Sequence, residues 1–228
     1  MTKKLAVFVE GLTEQEFTIK LLIELAGSRG IEFVIHSQFG GSLSFTELRS
    51  HEAPEISVLV ANCCNDGQVK TQIIDRYSTL KSAGYSLIVG LRDVYPLTHN
   101  DIVPLNESLL VGLPVDTLPI HLHLAILETE AWFLEEISHF SRINNGITDA
   151  KLIANGFDHV NIRAHSLENP AKTLRKIYKS VGEQYKKNKR SIQRTVNELS
   201  YEELYINTRS KAPSLDGFIT SLEAGIFN

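Results

Sequence analysis

The sequence predicts an α/β fold: a mostly parallel sheet with flanking helices over residues 1–138, followed by a helical part over residues 139–228. Two observations carry that reading. Up to residue 138, apolar runs of strand length alternate with stretches of helical periodicity, the order expected of a sheet with crossover helices. Beyond it, the periodic segments are helical and no convincing strand falls between them.

"KLAVFVEG" (4–11) is a continuous apolar run closed by Gly11, as in a strand buried on both faces. Thr13, with Glu16 three residues later, reads as a capping box that opens a helix striped by Phe17, Leu21, Leu22 and Leu25. "GIEFVIHS" (30–37) is a second strand and "QFGGSLSF" (38–45) a loop, either mobile near substrate or a plain turn. "ISVLVANCC" (56–64) is another buried strand, followed by a polar turn and a helix from about Val69 to Ser82. "GYSLIVGLRD" (84–93) and "LPIHLHLAILE" (118–128) complete the strands, and a helix "TEAWFLEEI" (129–137) follows. In the C-terminal part, "DAKLIANG", "NPAKTLRKIYKSVG", "NKRSIQRTVNEL" and "PSLDGFITSLEAG" all read as helices.

A chain of 228 residues is long enough for one large domain, and its composition is that of a soluble globular protein. A net charge of -4 gives no general reason to bind nucleic acid or an anionic membrane. No apolar run approaches the roughly 20 residues that cross a bilayer. The start "MTKKLAVFVEG" is basic, but its apolar stretch is too short for a signal peptide and carries Glu10. A cytoplasmic location is expected, with no membrane partner. Cys63 and Cys64 are adjacent, where bridging is rare, and read as buried thiols. There is no Walker A, Gly-x-Ser-x-Gly or dinucleotide fingerprint, so ATP hydrolysis and serine hydrolysis are not expected of this chain alone.

Three predicted strands end in acids: Glu10, Asp93 and the Glu128/Glu130 pair. In an open parallel sheet, ligands bind beyond the carboxyl ends of the strands. Carboxylates gathered there repel, or hold protons, unless a cation joins them. Mg²⁺ prefers such hard oxygens together with water and phosphate oxygens. Acids after strands also occur simply because a helix N-terminus follows and favours negative charge. Glu10 is the strongest candidate, since "EGLTE" joins a strand-end acid, a tight Gly turn and Glu14 on the first helical turn. Of Glu128 and Glu130, one is expected to face the site and the other to help cap the helix.

These residues resemble a known family. "VEGLTEQEF" (9–17) is similar to the first motif of Toprim domains, the metal-binding fold of topoisomerases, primases and OLD-type nucleases. "LIVGLRDVYP" resembles the second motif, and "ILETEAWFLEE" the glutamate-rich segment of small stand-alone Toprim-like proteins of bacteria. "ENPAKTLRKIY" looks like a basic stretch of the same group. The resemblance covers residues 4–137 well and the remainder weakly. It implies a Toprim-like sheet, a phosphodiester substrate (DNA or RNA), Mg²⁺ or Mn²⁺ as cofactor, and a nuclease role in anti-phage defence beside an ATPase partner. It further implies catalytic roles for Glu10, Glu14 and Asp93, and metal ligation by Glu10, Asp93, Glu128 and Glu130. The second motif normally carries two aspartates one residue apart; here Leu91 or Tyr95 stands where the second acid would be. That argues against a full two-metal mechanism, which needs several bridging carboxylates. Asp66, or Glu128 and Glu130, are the candidates to compensate. The alternative is a catalytically degenerate regulatory or binding subunit of an ATPase complex; a homo-oligomer is compatible with either.

The segment 172–194 concentrates basic residues. Lys172, Arg175, Lys176 and Lys179 fall at helical spacings that share a face and could hold phosphates. Lys186, Lys187, Lys189 and Arg190 follow in a short connection. Tyr178 and Tyr185 are either base-stacking platforms or core anchors. "NCCNDGQVK" (62–70) is a weak candidate phosphate cradle, His121 and His123 read as sheet-packing histidines, and Trp132 as core.

Overall fold

A computed structural model describes residues 2–65 and 67–227. Its strands are β1 (Lys3–Val9), β2 (Ile31–Phe39), β3 (Ser42–Arg49), β4 (Ile56–Asn62), β5 (Leu87–Asp93) and β6 (Ile120–Ala125). They form one six-stranded sheet in the order β3-β2-β4-β1-β5-β6. β1 is parallel to β4 and β5, and β2 is parallel to β4. Val9 is level with both Asn62 and Leu91, so the central strands finish along one edge. The Ile88 amide donates to the Pro119 carbonyl and the Val94 amide to the Ala125 carbonyl, so β6 also runs parallel to β5.

Only β3 is antiparallel, paired with β2. The loop expected at 38–45 is therefore a hairpin. Gly40 and Gly41 both take positive φ, 56° and 88°, which a two-residue hairpin turn requires. β3 is the edge strand and most of its residues are exposed, which is why it lacks an apolar signature. β1, β4 and β5 lie inside the sheet, and Leu5–Val9, Val58, Val60, Ile88 and Val89 are buried. Burial on both faces is what makes those runs continuously apolar.

The helices are α1 (Leu12–Ala26), α2 (Gln68–Ser82), α3 (Ile102–Leu110), α4 (Glu130–Glu135), α5 (His139–Ile143), α6 (Asp149–Ala154), α7 (Pro170–Lys179), α8 (Lys189–Glu198), α9 (Tyr201–Glu203), α10 (Arg209–Lys211) and α11 (Pro213–Phe227). The β1–α1–β2 and β4–α2–β5 connections step across the sheet in opposite directions, so right-handed crossovers put α1 and α2 on opposite faces. On the α2 side, Val69, Ile73, Tyr77 and Leu80 join Ala6, Phe8, Ala61 and Ile88 in one core cluster. α1 begins on Gly11 with no side-chain cap. The expected Thr13–Glu16 capping box is absent, because the helix starts at Leu12 and Thr13 lies inside its first turn; Glu16 is instead held by the Arg49 guanidinium at 3.0 Å.

The chain divides into two compact units. The first gathers residues up to Arg92, Val103–Leu124 and those from Gly217 onward; the second gathers Asp93–Ile102 and Ala125–Asp216. In the second unit, helices α6, α7 and α8 stand where the sequence predicts them, and its core includes Trp132, Phe133, Phe140, Phe157, Leu174 and Tyr178. The Trp132 indole donates to Ser214 Oγ at 3.0 Å. Among the described residues, no helix is long and apolar enough to cross a membrane.

Candidate functional site

The second unit holds three of the predicted site acids: Asp93, Glu128 and Glu130. All are buried, which demands compensation for each negative charge. Asp93 ends β5, and its Oδ1 accepts from both the Thr129 amide and the Thr129 hydroxyl, each at 3.0 Å. The turn that brings Thr129 there passes through Leu127 at φ 60°, a left-handed conformation rare for a leucine. Its carbonyl is held by the Tyr95 amide at 2.8 Å. Backbone strain of this kind tends to gather at functional sites.

Glu128 follows the strained residue. Its Oε2 accepts from the Ala171 amide at 2.8 Å, in the first turn of α7. Pro170 opens that helix and has no N–H to satisfy, while Asn169 Oδ1 takes the Lys172 amide at 2.8 Å. Glu128 therefore meets the positive end of the α7 dipole. Glu130 Oε1 accepts the Tyr185 hydroxyl at 2.8 Å. The Lys187 ammonium then lies 3.4 Å from Glu128 Oε1 and 3.5 Å from Glu130 Oε1. The expected division of labour, one glutamate facing the site and one capping the following helix, is not what forms. Both carboxylates face one cation, and no side chain caps α4.

Glu135 and Glu136, further along, serve the packing of the same unit. Glu135 accepts from the Ala164 amide at 2.5 Å and pairs with Arg163 at 3.4 Å. Glu136 accepts from the Ser138 and Ser200 amides and pairs with Arg142 at 3.2 Å, and burial pushes its carboxyl up. His139 beside it is fully buried and pushed down to about 4, chiefly by burial.

The first unit holds Glu10 and Glu14. Glu10 follows β1 and is half-buried; Glu14 is buried in the first turn of α1. The Glu14 carboxylate folds back over Gly11, where a Cβ would sit only 3.1 Å from Oε2, so that turn has room for glycine. A polar chain runs beside it: Arg49 to Glu16, Gln15 to Glu16, Asn62 to Gln15 at 3.0 Å, and the Cys64 amide to Asn62 at 3.0 Å. Burial pushes the Cys63 thiol up to about 12, so it stays protonated. Cys64, expected buried, is exposed. His121 and His123 both bond Ser221 Oγ, at 2.9 and 2.8 Å, and so anchor α11 on β6 as packing histidines. Asp66 lies outside the described residues.

Lys172, Arg175, Lys176 and Lys179 do form one exposed face of α7, opposite Leu174, Ile177 and Tyr178. Tyr178 and Tyr185 are core anchors: both rings are buried and meet edge-on, centroids 6.0 Å apart. Base stacking by either is thereby corrected. Sequence reasoning missed Lys187 as the partner of the acids, and Tyr185 and Thr129 as the donors that orient them.

Among the described residues, no group of three or more His, Cys, Asp and Glu side chains is gathered as a metal cage. Mg²⁺ needs no such cage: one or two carboxylates with waters and substrate phosphates suffice. Glu128 and Glu130, two hard-oxygen groups directed at one cation position, match that requirement in chemistry. That position is held by the Lys187 ammonium.

A family profile described as "Domain of unknown function (DUF4276)" matches residues 9–223. One solved structure, "The crystal structure of the putative cell surface hydrolase from Lactobacillus plantarum WCFS1", is similar at a TM-score of 0.31 and 9% identity, over 55% of this chain and 53% of that one. The chain thus spans about half that protein's length, and a likeness this slight carries no argument. No curated protein matches the chain.

Proposed function

The chain belongs to the DUF4276 family, and we propose that it is a metal-dependent nuclease of the Toprim class, cleaving DNA or RNA phosphodiesters with Mg²⁺ or Mn²⁺. The observation that carries the reading is the convergence of Glu128 and Glu130 on one cation position, with Thr129 between them tying down Asp93. Glu128 and Glu130 would hold a divalent ion, whose charge would favour attack on a phosphodiester. The protein's own part is orientation. The Ala171 amide fixes Glu128, the Tyr185 hydroxyl fixes Glu130, and Thr129 fixes Asp93. Lys187, 43% exposed, would be displaced from that position by the ion and would offer its ammonium to a non-bridging phosphate oxygen. The exposed α7 face of Lys172, Arg175, Lys176 and Lys179 would hold the polymer. The resemblance gives Glu10 the acid–base work, with Glu14 as its neighbour on α1. An ATPase partner, an anti-phage role and a cytoplasmic setting come with the same resemblance and are part of this proposal.

One observation favours a second reading. Lys187 already neutralises the paired glutamates, as expected of a degenerate Toprim-like subunit that binds an ATPase without cleaving.

The deciding experiment incubates labelled DNA and RNA with Mg²⁺ or Mn²⁺ and compares wild type with Glu128→Gln, Glu130→Gln, Asp93→Asn and Glu10→Gln. The nuclease reading expects a loss of roughly a hundredfold or more in each variant. Undiminished cleavage by the Glu128 and Glu130 variants overturns it. A wild type that neither cleaves nor binds Mn²⁺ by calorimetry leaves the second reading.

A further inference from the structure

We infer that the turn after α7, with the ends of α7 and α8 that flank it, forms a groove that grips a nucleic-acid backbone through its phosphates, without reading base sequence. The choice of ligand rests on the nuclease reading above; the groove itself is a second site, apart from the acid cluster.

Residues 172–194 carry nine Lys and Arg against the single acid Glu183, a local balance of +8 (9 − 1) in a chain of net charge -4. The structure concentrates part of that charge in two adjoining clefts. One, of about 550 Å³, is lined by Arg175, Lys179 and Lys186. The other, of about 540 Å³, is lined by Lys186, Arg190 and Arg194. They share Gly182, Glu183, Gln184 and Lys186, so both clefts open on the same turn. Each is many times the roughly 30 Å³ share of one water, room for a length of sugar–phosphate chain rather than a lone ion. Arg194 is bound to Glu183 at 2.6 Å, which offsets its charge. Arg175, Lys179, Lys186 and Arg190 are exposed, and among the described residues none of the four has an ion pair. Like charges grouped within a Debye length of roughly 10 Å repel, a cost that a polyanion in the groove would remove.

The floor decides what part of the polymer is read. Tyr185 lies there, but its ring is buried against Tyr178 and its hydroxyl is committed to Glu130. No open aromatic face is offered for bases to stack on, so the contacts fall on phosphates, which position a strand without specifying sequence. The same turn also serves the acids. Lys186 lines the groove while Lys187, the next residue, pairs with Glu128 and Glu130. The groove and the proposed catalytic cluster are thus served by one turn, which favours nucleic acid over an acidic peptide.

The test is fluorescence anisotropy in EDTA, so that no cleavage occurs, with two labelled duplexes of unrelated sequence and a labelled polyglutamate peptide. Four phosphate contacts predict a log–log salt slope of about −3.6 and a loss of roughly 150-fold in affinity between 50 and 200 mM salt. In Lys186→Gln/Arg190→Gln, and separately in Arg175→Gln/Lys179→Gln, the slope should fall to about −1.8 and the loss to roughly 12-fold. Thermal melting checks that each variant is folded. Equal affinity for the two duplexes is expected. No binding by wild type at low salt, unchanged slopes in both double variants, or tighter binding of polyglutamate would each overturn the groove. Metal-free binding by a protein that never cleaves would sink the nuclease reading and leave the groove standing. Cleavage with both double variants binding like wild type would do the reverse.

Discussion

Replacing Lys187 by Met removes one charge and keeps most of the side chain's bulk. Two buried carboxylates, Glu128 and Glu130, then lose the ammonium that lies 3.4 and 3.5 Å from them. Removing one partner of a fully buried pair costs about 3–5 kcal/mol, whereas an exposed pair is worth about 0–1 kcal/mol. The glutamates are 5% and 0% exposed but the lysine is 43% exposed, so water screens its outer side and the expected loss lies between these limits, about 1–3 kcal/mol. For a chain of this size that lowers Tm by roughly 2–12 °C. The vacated charge is also what a divalent ion would supply. At a concentration near 100 times its Kd, such an ion returns about 2.7 kcal/mol. Circular-dichroism melts with and without MgCl₂ should therefore show a larger metal-induced rise in Lys187→Met than in wild type, where the ammonium competes. Lys187→Arg, which keeps the charge, should behave like wild type. A Met variant that melts like wild type and gains no more from Mg²⁺ would refute the idea that this lysine stands in a cation site.

Tyr185→Phe deletes the hydroxyl on Glu130 and keeps the ring. A hydrogen bond to a charged group contributes about 1.5–3 kcal/mol, so the urea midpoint should fall at unchanged m while nucleic-acid affinity holds. Intact stability with lost affinity would instead restore the stacking role. His139 tests burial in the second unit. Burial holds its imidazole at about 4 in the folded chain, against an ordinary value of 6.5. The unfolded chain then binds more protons between those two values, so stability present above pH 6.5 is lost as pH falls through the window, by about 3 kcal/mol in total. Glu136, beside it, shifts upward and contributes with the opposite sign, losing stability as pH rises through its raised value. Urea titrations of wild type and His139→Gln across that range isolate the imidazole. The variant's stability should depend less steeply on pH, and parallel curves would show that His139 is not held neutral.

The central strands were legible because burial on both faces leaves an unbroken apolar run, as at Leu5–Val9. β3 was not, because an edge strand with one exposed face needs few apolar residues, and its Gly-Gly turn reads equally well as a loop. The strand-end acids were legible by position, and three of them, Asp93, Glu128 and Glu130, fall in one unit. Their partner was hidden for a different reason. In "YKKNK", Lys186 and Lys187 are adjacent residues of the same type. What separates them is direction. Tyr185 and Lys187, two residues apart, both reach the glutamates, while Lys186 between them lines the groove. The chain turns between them: the Asn188 amide donates to the Lys186 carbonyl at 2.8 Å, a tight turn around Lys187. That turn is held on one side by Tyr185 seating on Glu130, 55 residues earlier in the chain, and on the other by Asn188 capping α8 through the Ser191 amide. The cap is local, but the Tyr185–Glu130 contact spans 55 residues, more than a sequence window contains. A pair of adjacent lysines can thus divide two kinds of work, charge compensation at an acid cluster and phosphate contact in a groove, only because a tyrosine that looked like a base-stacking platform is turned inward to fix which lysine faces which way.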